Sequence, residues 1–286
     1  MEKYFIRQKF GFNIGNFIMC TPVIKALSIY FNQKIKVAFE DGVTAQLFKK
    51  CEFIEPIQTD YVNDSMLPCE SDSVSPTKRC IVHRVENGIK TEKLTMLLSS
   101  ATGGLHKPEW LHKWLLVEDF LKIDLGPHLN TYVDSYPSPS ILEGQNYCVV
   151  MRGCAGPINS LSLPSKDPGN EIYDFILNHL NNKIKIVFVG NSVDNERFIK
   201  KMSEKVDNKV ILLNSIEDTL GAINNAKFVV TNDTGFYHAS GALNKDSFVL
   251  WKDTPLIKNQ SPSPTCLFSR KGSWEEDFKD WIENKI

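Results

Sequence analysis

The chain has 286 residues, with 33 basic and 34 acidic side chains and a pI near 6.6; it is long enough for two cores and lacks the basic excess of a dedicated nucleic-acid binder. The sequence shows no obvious bilayer-spanning run, and its opening Met1-Glu2-Lys3-Tyr4-Phe5 has no signal-peptide h-region, so the expectation is a cytoplasmic protein without stable membrane insertion. Its seven cysteines, an odd number without Cys-x-x-Cys or metal-type spacing, read as free thiols, with a Cys69–Cys80 pair left open as the alternative.

In chain order, Tyr4-Phe5-Ile6 reads as a strand and Gly11-Phe12-Asn13-Ile14-Gly15-Asn16 as a glycine-bearing turn. Phe17 to Phe31 follows as a helix with apolar positions at Ile18, Val23, Leu27, Tyr30 and Phe31, and Ile35 to Phe39 returns as a strand. That grammar predicts a parallel, right-handed βαβ unit. Residues 59 to 78, rich in Asp, Ser, Pro and Asn, read as a surface loop. The Asn87-Gly88 pair between alternating residues predicts a hairpin. Glu109 to Lys122 reads as a helix with Trp110, Trp114, Val117, Phe120 and Leu121 on a core face. Pro/Ser-rich residues 134 to 145 read as a linker.

Beyond it, strands are predicted at Tyr147–Met151, Ile184–Val189, Val210–Leu213 and Ala226–Val230, and helices at Asn170–Leu180 and Asp194–Val206. A capped amphipathic helix over Ser273–Trp281 carries an aromatic face that must dock somewhere. The expected architecture is α/β with two Rossmann-like domains, 1–138 and 139–272, and a terminal helix, 273–286, packing back toward the first domain. Neither half has Gly-x-Gly-x-x-Gly after its first strand, which argues against a dinucleotide oxidoreductase.

The most informative stretch is Val230-Thr231-Asn232-Asp233-Thr234-Gly235-Phe236-Tyr237-His238-Ala239-Ser240. It follows an apolar strand and leads into a helix expected from Ala239. Unpaired backbone N–H groups at a helix start, reinforced by the helix dipole, make a natural anion site, and phosphate is the anion expected.

These residues resemble glycosyltransferase family 9, the heptosyltransferase-like enzymes of GT-B architecture, whose two Rossmann-like domains face each other across a cleft. Thr231-Asn232-Asp233-Thr234-Gly235 through His238, with Ala242-Leu243, is similar to the family's Asn-Asp-Thr-Gly-x-x-His-x-x-x-Ala-Leu signature. Gly15-Asn16-Phe17-Ile18-Met19-Cys20-Thr21-Pro22 resembles the family's Gly-Asp and Thr-Pro opening of the first helix, and Ser247–Trp251 with Thr254 and Pro262 resembles the strand and loop after the signature. The strand end Val187-Phe188-Val189-Gly190 agrees in order and spacing.

The resemblance implies that Thr234 and Gly235 offer amides to a nucleotide-sugar diphosphate, ADP-linked or another NDP-sugar, while His238 reaches it and Asp233 braces the loop. Gly15 and Gly190 join the donor-side set. It also implies no metal, and the nucleotide sugar is a co-substrate rather than a cofactor. Fixed donors there favour a transition state in which the leaving diphosphate gains charge.

Two departures stand out. Where the family has Lys-x-Trp-Pro, this chain reads Leu161-Ser162-Leu163-Pro164, leaving Arg152 or Lys166 to supply the positive charge. Where the family has an aspartate general base, this chain has Asn16, which cannot take a proton at neutral pH. Glu40, Asp41 and His106 are substitute bases to consider, or the chain binds a nucleotide sugar without transferring it. Residues 1 to 50 carry eight basic against three acidic side chains, compatible with an anionic acceptor (glycan, glycolipid, protein or modified DNA) or with an ordinary solvated surface.

Overall fold

The computed structural model describes residues 3–8, 14–39, 42–58, 79–86, 89–97, 109–153, 166–191, 194–213, 215–254, 256 and 260–286. The chain divides into two compact units, Met1–Asp134 with Ile257–Pro262, and Ser135–Leu256 with Ser263–Ile286.

In the first unit, strand β1 (Lys3–Gln8) is followed by helices α1 (Ile14–Ile18) and α2 (Thr21–Phe31), strand β2 (Ile35–Phe39), the short helix α3 (Gly42–Gln46) and strand β3 (Ile54–Gln58). Strands β4 (Arg79–Glu86) and β5 (Ile89–Leu97) and helix α4 (Glu109–Leu121) complete it. The sheet order is β3-β2-β1-β4-β5. β1 pairs with β2, and β2 with β3, in parallel, as the βαβ reading expects. β4 runs antiparallel to both β1 and β5, so this sheet is mixed rather than doubly wound throughout. Glu86 faces Ile89 across the hairpin end at the Asn-Gly pair.

The single helix read over Phe17–Phe31 is two helices. Pro22 sits in the first turn of α2, where its missing N–H is harmless, and the Thr21 hydroxyl donates to the Ile18 carbonyl at 2.7 Å across the break. Taken together, Ile14–Phe31 is long and apolar enough to cross a bilayer by length and composition, which corrects the sequence reading. Its apolar side is used inside the protein: Phe17, Ile18, Val23, Ile24 and Leu27 are buried. Phe17 meets Phe39 and Phe48 edge-on at 4.9 and 5.1 Å. On α4, Trp114 and Val117 are buried as predicted, and the helix packs on α2.

The second unit holds strands β6 (Tyr147–Val150), β7 (Lys185–Val189), β8 (Lys209–Leu212), β9 (Val229–Asn232), β10 (Ser247–Trp251) and β11 (Cys266–Arg270). Its helices are α5 (Asn170–Leu180), α6 (Lys200–Ser203), α7 (Ile216–Asn225), α8 (Gly235–Ala242) and α9 (Trp274–Glu283). The sheet is wholly parallel in the order β11-β10-β9-β6-β7-β8. β6, β9 and β10 are buried along their whole length, and β6 reads accordingly as an unbroken apolar run. A wide π-helical turn, Asn195–Ile199, precedes α6 where one continuous α-helix was expected.

One further expectation is corrected. The Pro/Ser stretch is not a free linker. The boundary falls after Asp134, and Tyr136 is buried in the second unit with its carbonyl accepting from Asn224 Nδ2 and Asn225 Nδ2. The terminal helix α9 uses its aromatic face in the second unit's own core. Phe278 meets Phe248 at 5.2 Å, Trp281 meets Phe228 at 5.3 Å, and α9 packs on α5, β10 and β11. The Ser273 hydroxyl at its N-terminus donates to Asp277 at 2.7 Å.

Candidate functional site

In the second sheet the chain runs outward from β6 through β7 to β8, then returns to the other side of β6 with β9, β10 and β11. The order reverses between β6 and β9, and their carboxyl ends open the crevice in which open α/β sheets bind ligands. Both ends carry polar groups. Asn232 closes β9 and is fully buried; its Nδ2 donates to the carbonyls of Gly153 at 3.1 Å and Lys166 at 3.0 Å. The Tyr173 hydroxyl donates to the Met151 carbonyl at 3.0 Å and stands 3.4 Å from Asn232 Oδ1. One amide thus ties the end of β9 to the end of β6 and to the start of α5.

Asp233 follows, 3% exposed, accepting from the Thr254 hydroxyl at 2.8 Å and pairing with Lys166 Nζ at 2.8 Å. Thr234 then caps α8 in extended conformation (φ −130°, ψ 169°) without a side-chain cap hydrogen bond. Its hydroxyl oxygen is buried and has no hydrogen-bond partner among the described residues. A buried hydroxyl left in that state costs free energy that a ligand oxygen would recover. Helix α8 starts at Gly235 rather than Ala239, because Thr234 is its cap and not part of a longer turn. That puts His238 in the first helical turn, 4% exposed, its ring 3.8 Å from that of Tyr237 between centroids.

Asp233, Thr234, Gly235, His238 and Lys166 therefore gather at the start of one helix, and the ammonium of Lys166 reaches Asp233 across 67 positions of sequence, next to the first α8 amides. The Arg152 side chain is 4% exposed, and its guanidinium is bonded twice to Asp167 at 3.0 and 3.1 Å and once to Asn170 at 2.7 Å.

Gly190 ends β7 at a tight approach. A Cβ there would fall 2.8 Å from Ile199 Cδ1 and 3.0 Å from Asp194 Cβ, and one on Gly153 would fall 2.8 Å from Asp194 Oδ1. The two glycines make room for Asp194, a carboxylate at the edge of the same crevice that sequence reasoning treated only as a helix start. Burial pushes its carboxyl above the usual range, against the lowering effects of the Asn191 amide and Arg197. An acidic residue four positions after a strand-ending glycine was the available signal.

Gly15 and Asn16 lie in the first unit, on α1 rather than in a turn; Gly15 is buried, Asn16 is half-buried, and the Asn16 carbonyl accepts from Cys20 Sγ at 3.5 Å. Glu40, Asp41 and His106 lie outside the described residues, as does Cys69. Cys20, Cys51, Cys148 and Cys266 are buried and form no disulfide. Among the described residues no group of three or more His, Cys, Asp or Glu side chains could hold a metal ion.

No protein-family model matches the sequence, and no curated protein does. Solved structures do. The glycosyl transferase family 9 protein from Veillonella parvula superposes with a TM-score of 0.68 at 11% identity, over 98% of this chain and 89% of that one. Heptosyltransferase WaaC from E. coli, solved with ADP, gives 0.67 at 12% identity over 99% of both chains. The E. coli ADP-heptose lipopolysaccharide heptosyltransferase II gives 0.62 at 12% identity, over 90% and 88%. The chain has the α/β, GT-B fold of the family 9 heptosyltransferases.

Proposed function

We propose that the protein is a glycosyltransferase that binds a nucleoside-diphosphate sugar at the carboxyl ends of β6 and β9 and moves the sugar to an acceptor hydroxyl. The observation that carries the reading is the Thr234 turn. A helix N-terminus without a side-chain cap hydrogen bond, and with a buried hydroxyl that has no partner among the described residues, opens at the sheet's switch point, beside a lysine held by Asp233. In this reading the amides of α8, the Thr234 hydroxyl, His238 and Lys166 meet the diphosphate, and Asp233 keeps Lys166 in place. Asp194 accepts from the ribose hydroxyls. As the glycosidic bond breaks, charge grows on the leaving diphosphate, and these donors are already aimed at it.

ADP-linked heptose or a related sugar is the donor proposed first, supported by the shared fold and by the ADP bound in the E. coli relative. The transfer is proposed as a metal-independent inverting displacement, in the cytoplasm. Asn16 cannot be the base, so Glu40, Asp41 and His106 are the residues to test for that role.

The experiment is a panel of NDP-sugars scored for thermal stabilisation and for acceptor-dependent release of nucleoside diphosphate. Stabilisation with turnover supports transfer. Stabilisation with no turnover on any glycan, glycolipid, protein or DNA acceptor favours a nucleotide-sugar-binding protein, the reading that Asn16 motivates. No nucleotide-dependent shift refutes both.

A further inference from the structure

We infer that Arg152 is a positioning residue that acts on the donor through Lys166, an inference resting on the donor site proposed above. The guanidinium cannot leave its place without stranding the Asp167 carboxylate, only 18% exposed, so it is not held in reserve for a phosphate. Its bonds fix the residue next to Lys166. Arg152 lies two residues past β6 and grips the Asp167 side chain, while Asn232, ending β9, grips the Lys166 carbonyl. The two strand ends bordering the crevice thus hold one dipeptide from opposite sides. The ammonium of Lys166 is left at Asp233, beside the open start of α8.

Two aromatic rings complete the clamp. Tyr173 and Phe198 lie 5.0 and 4.3 Å from the guanidinium carbon. Phe198 belongs to the π-helical turn, and that turn also begins beside Asp194. A lysine could not replace Arg152, because only a planar fork bonds both Asp167 oxygens while stacking on rings. A lysine on an unheld turn would have to lose its rotamer freedom on meeting the diphosphate; Lys166 has lost much of it beforehand.

The test is ADP binding by calorimetry on the full chain, beside apo thermal unfolding. Lys166→Met should weaken ADP binding by about tenfold to a hundredfold, as loss of a charge-assisted contact implies. Arg152→Met with Asp167→Leu, which removes both buried charges together, should weaken it by a similar factor, and adding Lys166→Met to that pair should weaken it no further. A folded double variant that binds ADP like wild type overturns the inference, as do losses that multiply in the triple variant. Loss of thermal stability alone, with ADP affinity intact, would mark Arg152 as merely structural and overturns it as well. Should the double variant not fold, Phe198→Leu takes its place, with a Lys166-dependent several-fold loss expected and unchanged affinity overturning. Wild-type protein that does not bind ADP refutes the proposed donor and this inference together, whereas wild-type binding indifferent to Lys166→Met removes only the inference.

Discussion

Glycine-to-alanine changes in two helices should move stability in opposite directions. In a helix interior, alanine exceeds glycine by about 1 kcal/mol. At Gly221, in the middle of α7, the added Cβ would lie 2.1 Å from the Pro137 carbonyl oxygen and 3.2 Å from its carbon, so backbone must move by about 1 Å to reach contact distance. Pro137 is not free to yield. The preceding carbonyl, of Tyr136, is held by Asn224 and Asn225 at 3.4 Å each, and Pro139 Cδ lies 3.4 Å from the same Cβ position. Overpacking of this kind costs about 1–3 kcal/mol, and loosening two long hydrogen bonds adds about 1 kcal/mol. After subtracting the propensity gain, Gly221→Ala should destabilise by about 1–3 kcal/mol, a fall in Tm of about 2–4 °C per kcal/mol. At Gly42, the first residue of α3, the Cβ meets nothing within 4 Å, and Gly42→Ala should be neutral or stabilising by up to about 1 kcal/mol. Urea titration and thermal melts followed by circular dichroism read both. A Gly221→Ala protein as stable as wild type, or a shared sign at the two sites, refutes the packed seat of residues 136–139 on α7.

The other predictions concern the site. Asp194→Asn should weaken ADP binding while raising stability at pH 8. A carboxyl raised by burial penalises the folded state only once ionised, so the gain is absent below the unfolded value of 3.8 and grows as pH rises through the folded one; melts of both proteins at pH 3.5 and 8 decide it, and a pH-independent difference removes the mechanism. His238→Ala should weaken ADP binding by about tenfold, as loss of one donor to a charged group implies, and unaltered affinity takes His238 out of the site. Asn16→Asp should raise the rate of nucleoside diphosphate release with acceptor present, and an unchanged or lower rate places the base elsewhere.

What could be read from sequence follows from which interactions are local. β6 declared itself because burial on both faces favours a continuous apolar run, whereas β9 runs on past the apolar residues read at Ala226–Val230 to the buried polar Thr231 and Asn232. β3 and β11 did not declare themselves. Each is an edge strand, one containing Pro56 and the other exposing Leu267, and edge strands need no continuous apolar run. The break at Met19–Cys20 was signalled by Pro22, yet the apolar pattern runs on through it because both helices bury the same face. Asp233, Thr234, Gly235 and His238 stand in one short motif, so their gathering was legible. The pairing of Arg152 with Asp167, 15 positions away, was not. A basic residue just past a strand is as good a phosphate ligand as a buried clamp until its partner is known.

The two departures from the family pattern are not equivalent in physical terms. A diphosphate asks for positive charge at a point in space, and that point is fixed by where β6 and β9 end. Asn232 holds position 166 by its main-chain carbonyl, a bond indifferent to the side chain carried there. Any chain that brings position 166 to this place can therefore supply the charge from it, and in the proposed donor site Lys166, five residues after Leu161 and paired with Asp233, is the residue that would do so. Position 16 differs in kind. A general base must accept a proton, and no displacement of a carboxamide gives it that ability near neutral pH. In the proposed site a shifted lysine would still meet the donor, whereas an asparagine on α1 leaves the proton with no acceptor unless a carboxylate or imidazole elsewhere takes it. Donor binding and turnover should accordingly separate in this protein: variants at positions 166, 152 and 194 act on ADP affinity, and variants at position 16 act on rate with ADP affinity unchanged.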